Sequence, residues 1–300
     1  MTLGLRHGTV ALFPHETEWE TEADLTTKTL RTVLGDVAAD IQHVGSTAIT
    51  SIKAKPIIDI AVAVRDFGDV IGKKSELEAA GFYYRRNGED LPEQLLFARG
   101  SYYDGTGELQ THFIHVVKAD GVQWRDYINF RDYMNANPSA AKEYESLKIR
   151  LCAECPEDPG RQHYTAGKQE YVAYALRKAL VWSYLGKLIH IEIDRPIGYV
   201  HRKENYTLVY PVNYGYIPGV IGGDGEELDV YLLGVDRPVS SADCRVIGAV
   251  HRRNDAEDKL IAAPDGIFFT KKEMHEAVRF QEQWYDTEIE VCAPDKTPVS

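Results

Sequence analysis

Cysteine is scarce. Four in 300 residues cannot build a disulfide scaffold. Cys152 and Cys155 form one C-x-x-C, whereas Cys244 and Cys292 stand alone. A structural zinc site would lack its second ligand pair, so ordinary reduced thiols are expected. No run approaches the roughly 20 apolar residues of a membrane span. Met1 to Thr17 lacks a basic end followed by an apolar stretch, so no signal peptide is expected and the expected location is the cytoplasm. There is neither an internal repeat nor a low-complexity tract. Basic charge is also short: Lys plus Arg is 34 against 46 for Asp plus Glu, a net −12. That balance disfavours non-specific nucleic-acid or membrane-surface binding. It suits carboxylates that hold cations, and cations that in turn hold a small anionic substrate. Hydrophobic residues at 44% exclude wholesale disorder, and the length suits two domains.

A change of texture near Ser183–Lys187 divides the chain at 182/183. Before it, Lys28–Ala38 and Phe67–Ala80 have helical character, and Ile57–Val64 (IIDIAVAV) reads as a buried strand. Gln110–Val117 reads as a further strand, and Trp124–Asn135, Ser139–Cys152 and Tyr164–Leu185 as three helices. After it come short alternating runs at 187–193, 206–210, 228–233, 245–250 and 259–263, separated by Gly, Pro, Asp and Asn turns. That pattern favours a small antiparallel barrel or sandwich. A helix over Lys271–Trp284 follows Thr270, a good N-cap. The fold class is α+β.

Chemistry concentrates in Asp224-Gly225-Glu226-Glu227-Leu228-Asp229, four acids at a glycine turn that feeds a strand. Crowded anions are unfavourable unless a positive charge sits among them, and Mg²⁺ takes such oxygen ligands together with phosphates and water. A second cluster, Asp255-Ala256-Glu257-Asp258, leads into Lys259. Two acidic loops at strand ends could face each other, and bound cations would then acidify a water and neutralise a departing phosphate. On Lys187–Ile193 the isoleucines share one face, which leaves His190 and Glu192 on the other. Arg202 suits bidentate phosphate contact, and Tyr210, Tyr214 and Tyr216 offer phenolic donors. Solvated hairpin loops and half-buried β tyrosines are the plainer alternative for each feature taken alone.

Residues 188–288 resemble the soluble, magnesium-dependent inorganic pyrophosphatases of the β-barrel family. The resemblance rests on Ile191-Glu192-Ile193-Asp194, on Tyr210-Pro211-Val212-Asn213-Tyr214-Gly215-Tyr216, and on the acid run 224–229. It continues through Asp255–Lys259 followed by Leu-Ile-Ala-Ala-Pro, and Phe280-Gln281-Glu282-Gln283-Trp284. The family's D-x-D-P-x-D begins ten residues after the tyrosine of N-Y-G-Y, as Asp224 does after Tyr214, and an arginine precedes the first tyrosine by eight, as Arg202 precedes Tyr210. The resemblance implies an OB-like barrel over 183–300, Mg²⁺ as cofactor, and pyrophosphate or a related phosphoanhydride as substrate. It implies that Asp224, Glu226 and Asp229 hold metal and the attacking water. Asp255 and Asp258 would complete the metal shell, while Glu192, Arg202, Tyr214 and Lys259 contact phosphate or metal-bound water. It also implies self-association. There are departures. Glu226 replaces an aspartate, Glu227 a proline, His190 a lysine, and Trp284-Tyr285 stands for a Tyr-Lys pair.

The first half carries its own phosphate-type signal. His43-Val44-Gly45-Ser46-Thr47-Ala48 precedes Lys53-Ala54-Lys55-Pro56 and the strand bearing Asp59. Backbone N–H groups at Gly45-Ser46 and the Ser46 hydroxyl could approach a phosphate, with Lys53 or Lys55 supplying charge and Asp59 a cation site. HVGSTA, AKPIIDIAVAV, Thr111–Val116, Asn129–Tyr133, Tyr144–Lys148, and Tyr164 with Lys168 resemble the GrpB (UPF0157) family over roughly 9–180. That implies a nucleotidyltransferase-like α/β domain over 1–182, with a nucleotide as its expected ligand. Polymerase-type transfer needs paired acids two apart, and here Asp59 is followed by Ala61. His112 and His115, three apart, cannot share a strand face. Three readings result: a phosphoanhydride hydrolase fused to a nucleotide-binding domain, a nucleotidyltransferase with a supporting barrel, or a non-catalytic phosphate binder.

Overall fold

The computed structural model describes residues 2–85, 93–100, 109–158, 162–203 and 206–292, and the chain divides into two units, Met1–Ala175 and Leu176–Ser300.

Unit one opens with α1 (Glu18–Leu34), whose buried Trp19, Ala23, Thr26, Leu30 and Leu34 recur every three or four residues. The helix thus starts well before Lys28. It is followed by β1 (Ala38–Val44), β2 (Ile58–Val64), α2 (Phe67–Gly72), α3 (Lys74–Ala79), β3 (Tyr83–Tyr84), β4 (Gln94–Arg99) and β5 (His112–Lys118). Then come α4 (Val122–Ala136), α5 (Pro138–Glu154), α6 (Gln162–Ala166) and α7 (Gln169–Tyr184), the last of which runs into unit two. The helix expected over 67–80 is interrupted at Lys73, and the one expected over 164–185 at Gly167–Lys168.

The sheet runs β1-β2-β5-β4-β3, parallel only between β2 and β5. Strand alternation then sorts the side chains. Ile58, Ile60, Val62 and Val64 join Ile114, Val116 and Phe97 in the core under α1. Asp59 and Ala61 lie on the opposite face, where α4 packs on β1, β2 and β5. The register sets Asp59 between Val44 and Phe113, and Ala61 beside His115.

Unit two contains β6 (Leu188–Arg195), the hairpin β7 (Val200–Lys203) and β8 (Tyr206–Val209), β9 (Asn213–Ile221), β10 (Glu227–Leu232), β11 (Ser241–Arg252), β12 (Lys259–Ala263), α8 (Lys271–Glu282) and β13 (Thr287–Val291). Strands β12-β10-β9-β6-β11 pair in order, and β11–β12 pairing closes the barrel. One seam departs from the expected antiparallel pattern, because β10 and β12 are parallel. The interior is filled by Ile191, Ile217, Leu228, Val230, Leu232, Val246, Leu260 and Ala262. Alternation turns Tyr214, Tyr231, Leu233 and Ile261 outward, where α8 covers them with Met274 and Val278. Thr270 caps α8 in a reciprocal box: its Oγ1 accepts from Glu273 N, and Glu273 Oε2 accepts from Thr270 N at 2.7 Å.

Candidate functional site

The outward face that holds Tyr214 continues into a polar cluster. Register places Glu192, Tyr216 and Asp229 in one cross-strand row, and Arg195, Tyr214 and Tyr231 in the next. Lys259 is buried there. Its Nζ donates at 2.5 Å to Tyr214 Oη, to Asp229 Oδ2 and to Glu257 Oε1, so all three ammonium donors are used. Tyr214 Oη also donates to Asp229 Oδ2. Burial works to raise the Asp229 pKa, but the hydrogen bond from Glu257, the charge of Lys259 and the Tyr214 hydroxyl outweigh it and hold the carboxyl below its ordinary value. Burial, and then the Asp229 carboxylate beside it, push Glu257 up. Asp229 is thus the more acidic of the two carboxyls and Glu257 the less, with the Lys259 ammonium bonded to both. Asp194 is raised by burial and by the Asp229 charge, against the pull of Arg195. Arg195 Nη1 donates to Tyr210 Oη at 2.8 Å, and its guanidinium lies 5.0 Å from the Tyr214 ring centroid.

A second cation lies deeper. Arg252 is 2% exposed. Its Nε and Nη2 donate to the two carboxylate oxygens of Glu282 at 2.9 and 2.7 Å, and its Nη1 donates to Asp255 Oδ2 at 2.9 Å and Glu257 Oε2 at 3.0 Å. The guanidinium stacks 3.7 Å from the centroid of the Tyr285 ring, and Tyr231 Oη donates to Glu282 Oε1 at 2.5 Å. Sequence reasoning missed Arg252, Glu257, Glu282, Asp194 and Arg195 as site residues. For Glu257 a signal existed: it lies two before Lys259, hence on the same face of an extended chain, whereas Asp258 lies on the other.

The two acidic loops adjoin. The parallel pairing of β10 with β12 sets the loops preceding both strands at the same end of the barrel. A Cβ on Gly223 would lie 2.5 Å from Ala256 O, so only glycine permits this approach. The individual acids part company, however. Asp224 is exposed in the turn, and its Oδ1 accepts from Glu226 N at 3.0 Å; Glu226 is exposed as well. Asp255 is bound by Arg252. Asp258 is buried and turned away: its Oδ2 accepts from His251 Nδ1 at 2.8 Å and its Oδ1 from Arg252 N at 3.0 Å. His190 is exposed, with Nδ1 2.7 Å from Asp243 Oδ1 and Nε2 3.4 Å from Glu192 Oε1. Arg202 is exposed on the β7–β8 hairpin opposite Thr207 and forms no hydrogen bond with the Lys259 cluster among the described residues.

Among the described residues no three His, Cys, Asp or Glu side chains converge as a metal-ligand group. The donor chemistry nevertheless fits a hard divalent ion at one place. Asp229 and Glu257 bring two carboxylates side by side on the outward face, both bonded to Lys259, and oxygen donors of this kind are what such an ion takes. Asp258 is turned into its bonds with His251 and the Arg252 backbone, and Asp255 shares the Arg252 guanidinium with Glu257.

Unit one brings a smaller group together. Gly45 has φ +70, and a Cβ there would lie 2.5 Å from Asp59 Oδ2. Gln94 Nε2 donates to His115 Nδ1 at 2.9 Å, leaving Nε2–H to donate to Asp59 Oδ1 at 3.2 Å. Tyr127 Oη donates to Gln94 Oε1 at 3.4 Å, and its ring lies 5.1 Å from that of His115. Burial and then the Asp59 charge push the Tyr127 phenol up, so it stays protonated. His112 faces the opposite side of the sheet, 3.1 Å from Thr26 Oγ1 and 3.3 Å from Glu22. Ser46 begins a 3₁₀ turn after Gly45. Lys55 instead places its Nζ 4.7 Å from the centroid of the Tyr164 ring. Asp59 has no second acid at Ala61 to make a two-metal pair.

The family model for GrpB protein matches residues 9–178, more than half of the sequence. The chain belongs to the GrpB family. The glutamate-rich protein GrpB of Alkalihalophilus pseudofirmus is 41% identical over 171 residues, covering 57% of this chain and 95% of that protein. The crystal structure of conserved protein GrpB from Enterococcus faecalis superposes with a TM-score of 0.52 at 24% identity, covering 58% of this chain and 99% of that one, which shows a shared fold. Beyond the GrpB part, the inorganic pyrophosphatase family model matches residues 185–288. An inorganic pyrophosphatase from Xylella fastidiosa is 32% identical over 89 residues, 27% of this chain and 49% of that enzyme. This chain thus spans about half of that pyrophosphatase's length.

Proposed function

We propose that the barrel unit hydrolyses inorganic pyrophosphate or a related phosphoanhydride in the presence of Mg²⁺. The observation that carries the reading is the convergence of Lys259, Tyr214, Asp229 and Glu257 on one outward face, with Arg195 on the ring of Tyr214. Asp229 and Glu257 would hold the ion, with Asp224 and Glu226 reaching it from the adjoining loop. When bound, Mg²⁺ neutralises phosphate charge and acidifies a water. Lys259 and Arg195 supply positive charge toward the departing phosphate, the Tyr210 hydroxyl donates to it, and Tyr214 holds Lys259 and Asp229 in place. Water attacks one phosphorus, the bridging P–O bond breaks with its electron pair leaving on the other phosphate, and the water's proton passes to Asp229. Glu192, His190 and Arg202 stand at the exposed rim as substrate contacts. The scarcity and scatter of the four cysteines along the sequence favour a reducing compartment such as the cytoplasm. Self-association, proposed from the resemblance, is checked by sedimentation.

For the GrpB unit the pressing of Gly45 onto Asp59 favours nucleotide binding at the Gly45-Ser46 turn. Nucleotidyl transfer releases pyrophosphate, which the barrel would remove. The test is phosphate release by the full chain from pyrophosphate, tripolyphosphate and nucleotides, with Mg²⁺, Mn²⁺ or chelator. Release that needs the metal and vanishes in Asp229→Asn supports hydrolysis. Saturable pyrophosphate binding without release supports a non-catalytic binder, the reading favoured by Arg252 already neutralising Asp255 and Glu257.

A further inference from the structure

The last turns of α7 belong to the barrel unit, which begins at Leu176. Leu180, Val181 and Leu185 join the barrel's apolar cluster beside Ile217 and Leu228. Arg177 precedes Leu180 by three residues and Val181 by four, so it shares their helix face. It meets both acidic loops. Its Nη1 donates to the main-chain oxygen of Asp255. Its stem lies against Gly223, where a Cβ would stand 2.7 Å from both Cγ and Cδ of Arg177.

Each loop is otherwise closed on itself. In 222–226, Gly222 N donates to Glu226 O at 2.7 Å, and Glu226 N donates to Asp224 Oδ1 at 3.0 Å. In 252–258, Arg252 Nη1 donates to Asp255 Oδ2 at 2.9 Å, Ala256 N to Asp255 Oδ1 at 2.7 Å, and Arg252 N to Asp258 Oδ1 at 3.0 Å. Those bonds set the shape of one loop or the other. Arg177 touches the two together, at the point where Gly223 approaches Ala256 O. Two acidic loops brought side by side repel each other, and a guanidinium, charged at every working pH, offsets that repulsion.

We propose that Arg177 is a positioning residue of the barrel site, a clasp that holds the 222–226 and 252–258 loops together before any ligand arrives. The consequence for a cation shared between the loops rests on the proposed hydrolysis; the clasp itself does not. Arg177 lies within the stretch that matches GrpB and ahead of the pyrophosphatase match at 185. A barrel begun at residue 183, where the sequence texture changes, would lack it.

The experiment is hydrogen exchange of the full chain, read by mass spectrometry in chelator. Arg177→Met keeps an apolar stem against Gly223 and removes the donor to Asp255. Amides of 222–226 and of 252–258 should both exchange about tenfold faster, the effect of losing one hydrogen bond from a charged group. The buried stretch Val246–Val250 of β11 should exchange as in the native chain. Arg177→Lys retains a donor and should restore most of the protection in both loops. Gly223→Ala presses on the same contact from the other side and should loosen the same two loops. Unchanged exchange in either loop of Arg177→Met overturns the clasp. Equal acceleration in β11 overturns it as well, because Arg177 would then support the barrel as a whole. Adding Mg²⁺ to Arg177→Met separates the two readings. Renewed protection of both loops supports a shared cation; protection that stays low counts against the shared cation and leaves the clasp decided by the exchange in chelator.

Discussion

Arg252 and Glu282 meet fork to fork in the interior of the barrel unit, with paired bonds of 2.9 and 2.7 Å and the Tyr285 ring stacked over the guanidinium. This pair closes off the polar cluster from below, because the same guanidinium also binds Asp255 and Glu257. Arg252→Met would leave buried Glu282 without its counter-charge, and breaking a buried pair from one side costs about 3–5 kcal/mol. The double substitution Arg252→Met with Glu282→Leu should recover much of that loss, since a matched apolar pair avoids the uncompensated charge. Urea unfolding of the three variants measures the coupling. Strictly additive losses would show that the two residues do not depend on each other.

The catalytic proposal separates residues that touch Asp229 from those on the rim. Asp229→Asn and Lys259→Met should each lower kcat/KM for pyrophosphate by about 10²–10³, the scale of losing one preorganised charged group. Tyr214→Phe removes one hydroxyl and should cost about tenfold. Arg202→Gln, on the exposed hairpin, should raise KM and leave kcat unchanged, whereas Arg195→Gln should lower kcat. The assay is steady-state phosphate release with Mg²⁺. A drop in kcat for Arg202→Gln as large as that for Arg195→Gln would mean that the hairpin closes over the substrate.

What the sequence disclosed and what it withheld follow from the range of each interaction. Strand β10 was legible because Leu228 and Val230 alternate with Glu227 and Asp229, and β12 because Leu260–Ala263 is a short apolar run closed by Pro264. Strand β1 was not: the bulge at Ala38–Asp40 and the burial of Ile41 and Val44 on opposite faces space its buried residues three apart, the spacing of a helix rather than of a strand. Strand β9 was hidden by Gly215, Pro218 and Gly219, residues that signal turns. The acids of 224–229 and 255–258 were legible as a charge anomaly. Their division was not, because it depends on Arg252 meeting Glu282 thirty residues further on, and spacing carries no information about that encounter. The pairing of Gly45 with Asp59 was half legible, since the glycine turn and the acid strand stand out while their contact is tertiary.

That contact yields its own prediction. Gly45→Ala would place a methyl group 2.5 Å from Asp59 Oδ2 at φ +70, combining overpacking with left-handed strain. A loss of about 2–3 kcal/mol is expected. Asp59→Ala removes the carboxylate but keeps a Cβ 2.9 Å from the new methyl and leaves φ unchanged, so adding it to Gly45→Ala should restore only part of the steric share, less than half of the loss. Denaturant unfolding of both single variants and the double variant decides the point. Full recovery in the double variant would mean that φ strain contributes nothing.

His43 makes the stability of unit one depend on pH. Its Nε2 lies 3.0 Å from Thr47 Oγ1. Burial, foremost, brings its pKa down from 6.5 to about 4; Arg131 and His15 act in the same direction, while Asp59 and Asp24 oppose it. The folded state thus holds the imidazole neutral where the unfolded chain would protonate it. Above pH 6.5 both states are neutral and the contribution is complete. As pH falls from 6.5 towards 4 the unfolded state takes up the proton first and stability declines; below about 4 both states are charged and nothing further is lost. The decline attributable to His43 is on the order of 3 kcal/mol at most. His43→Gln removes the titration and keeps a polar side chain towards Thr47. Urea unfolding of the full chain at pH 7 and pH 4.5 should therefore show a smaller drop in the variant than in the native protein. Equal drops in the two proteins would mean that His43 is already protonated, or already solvated, in the folded state.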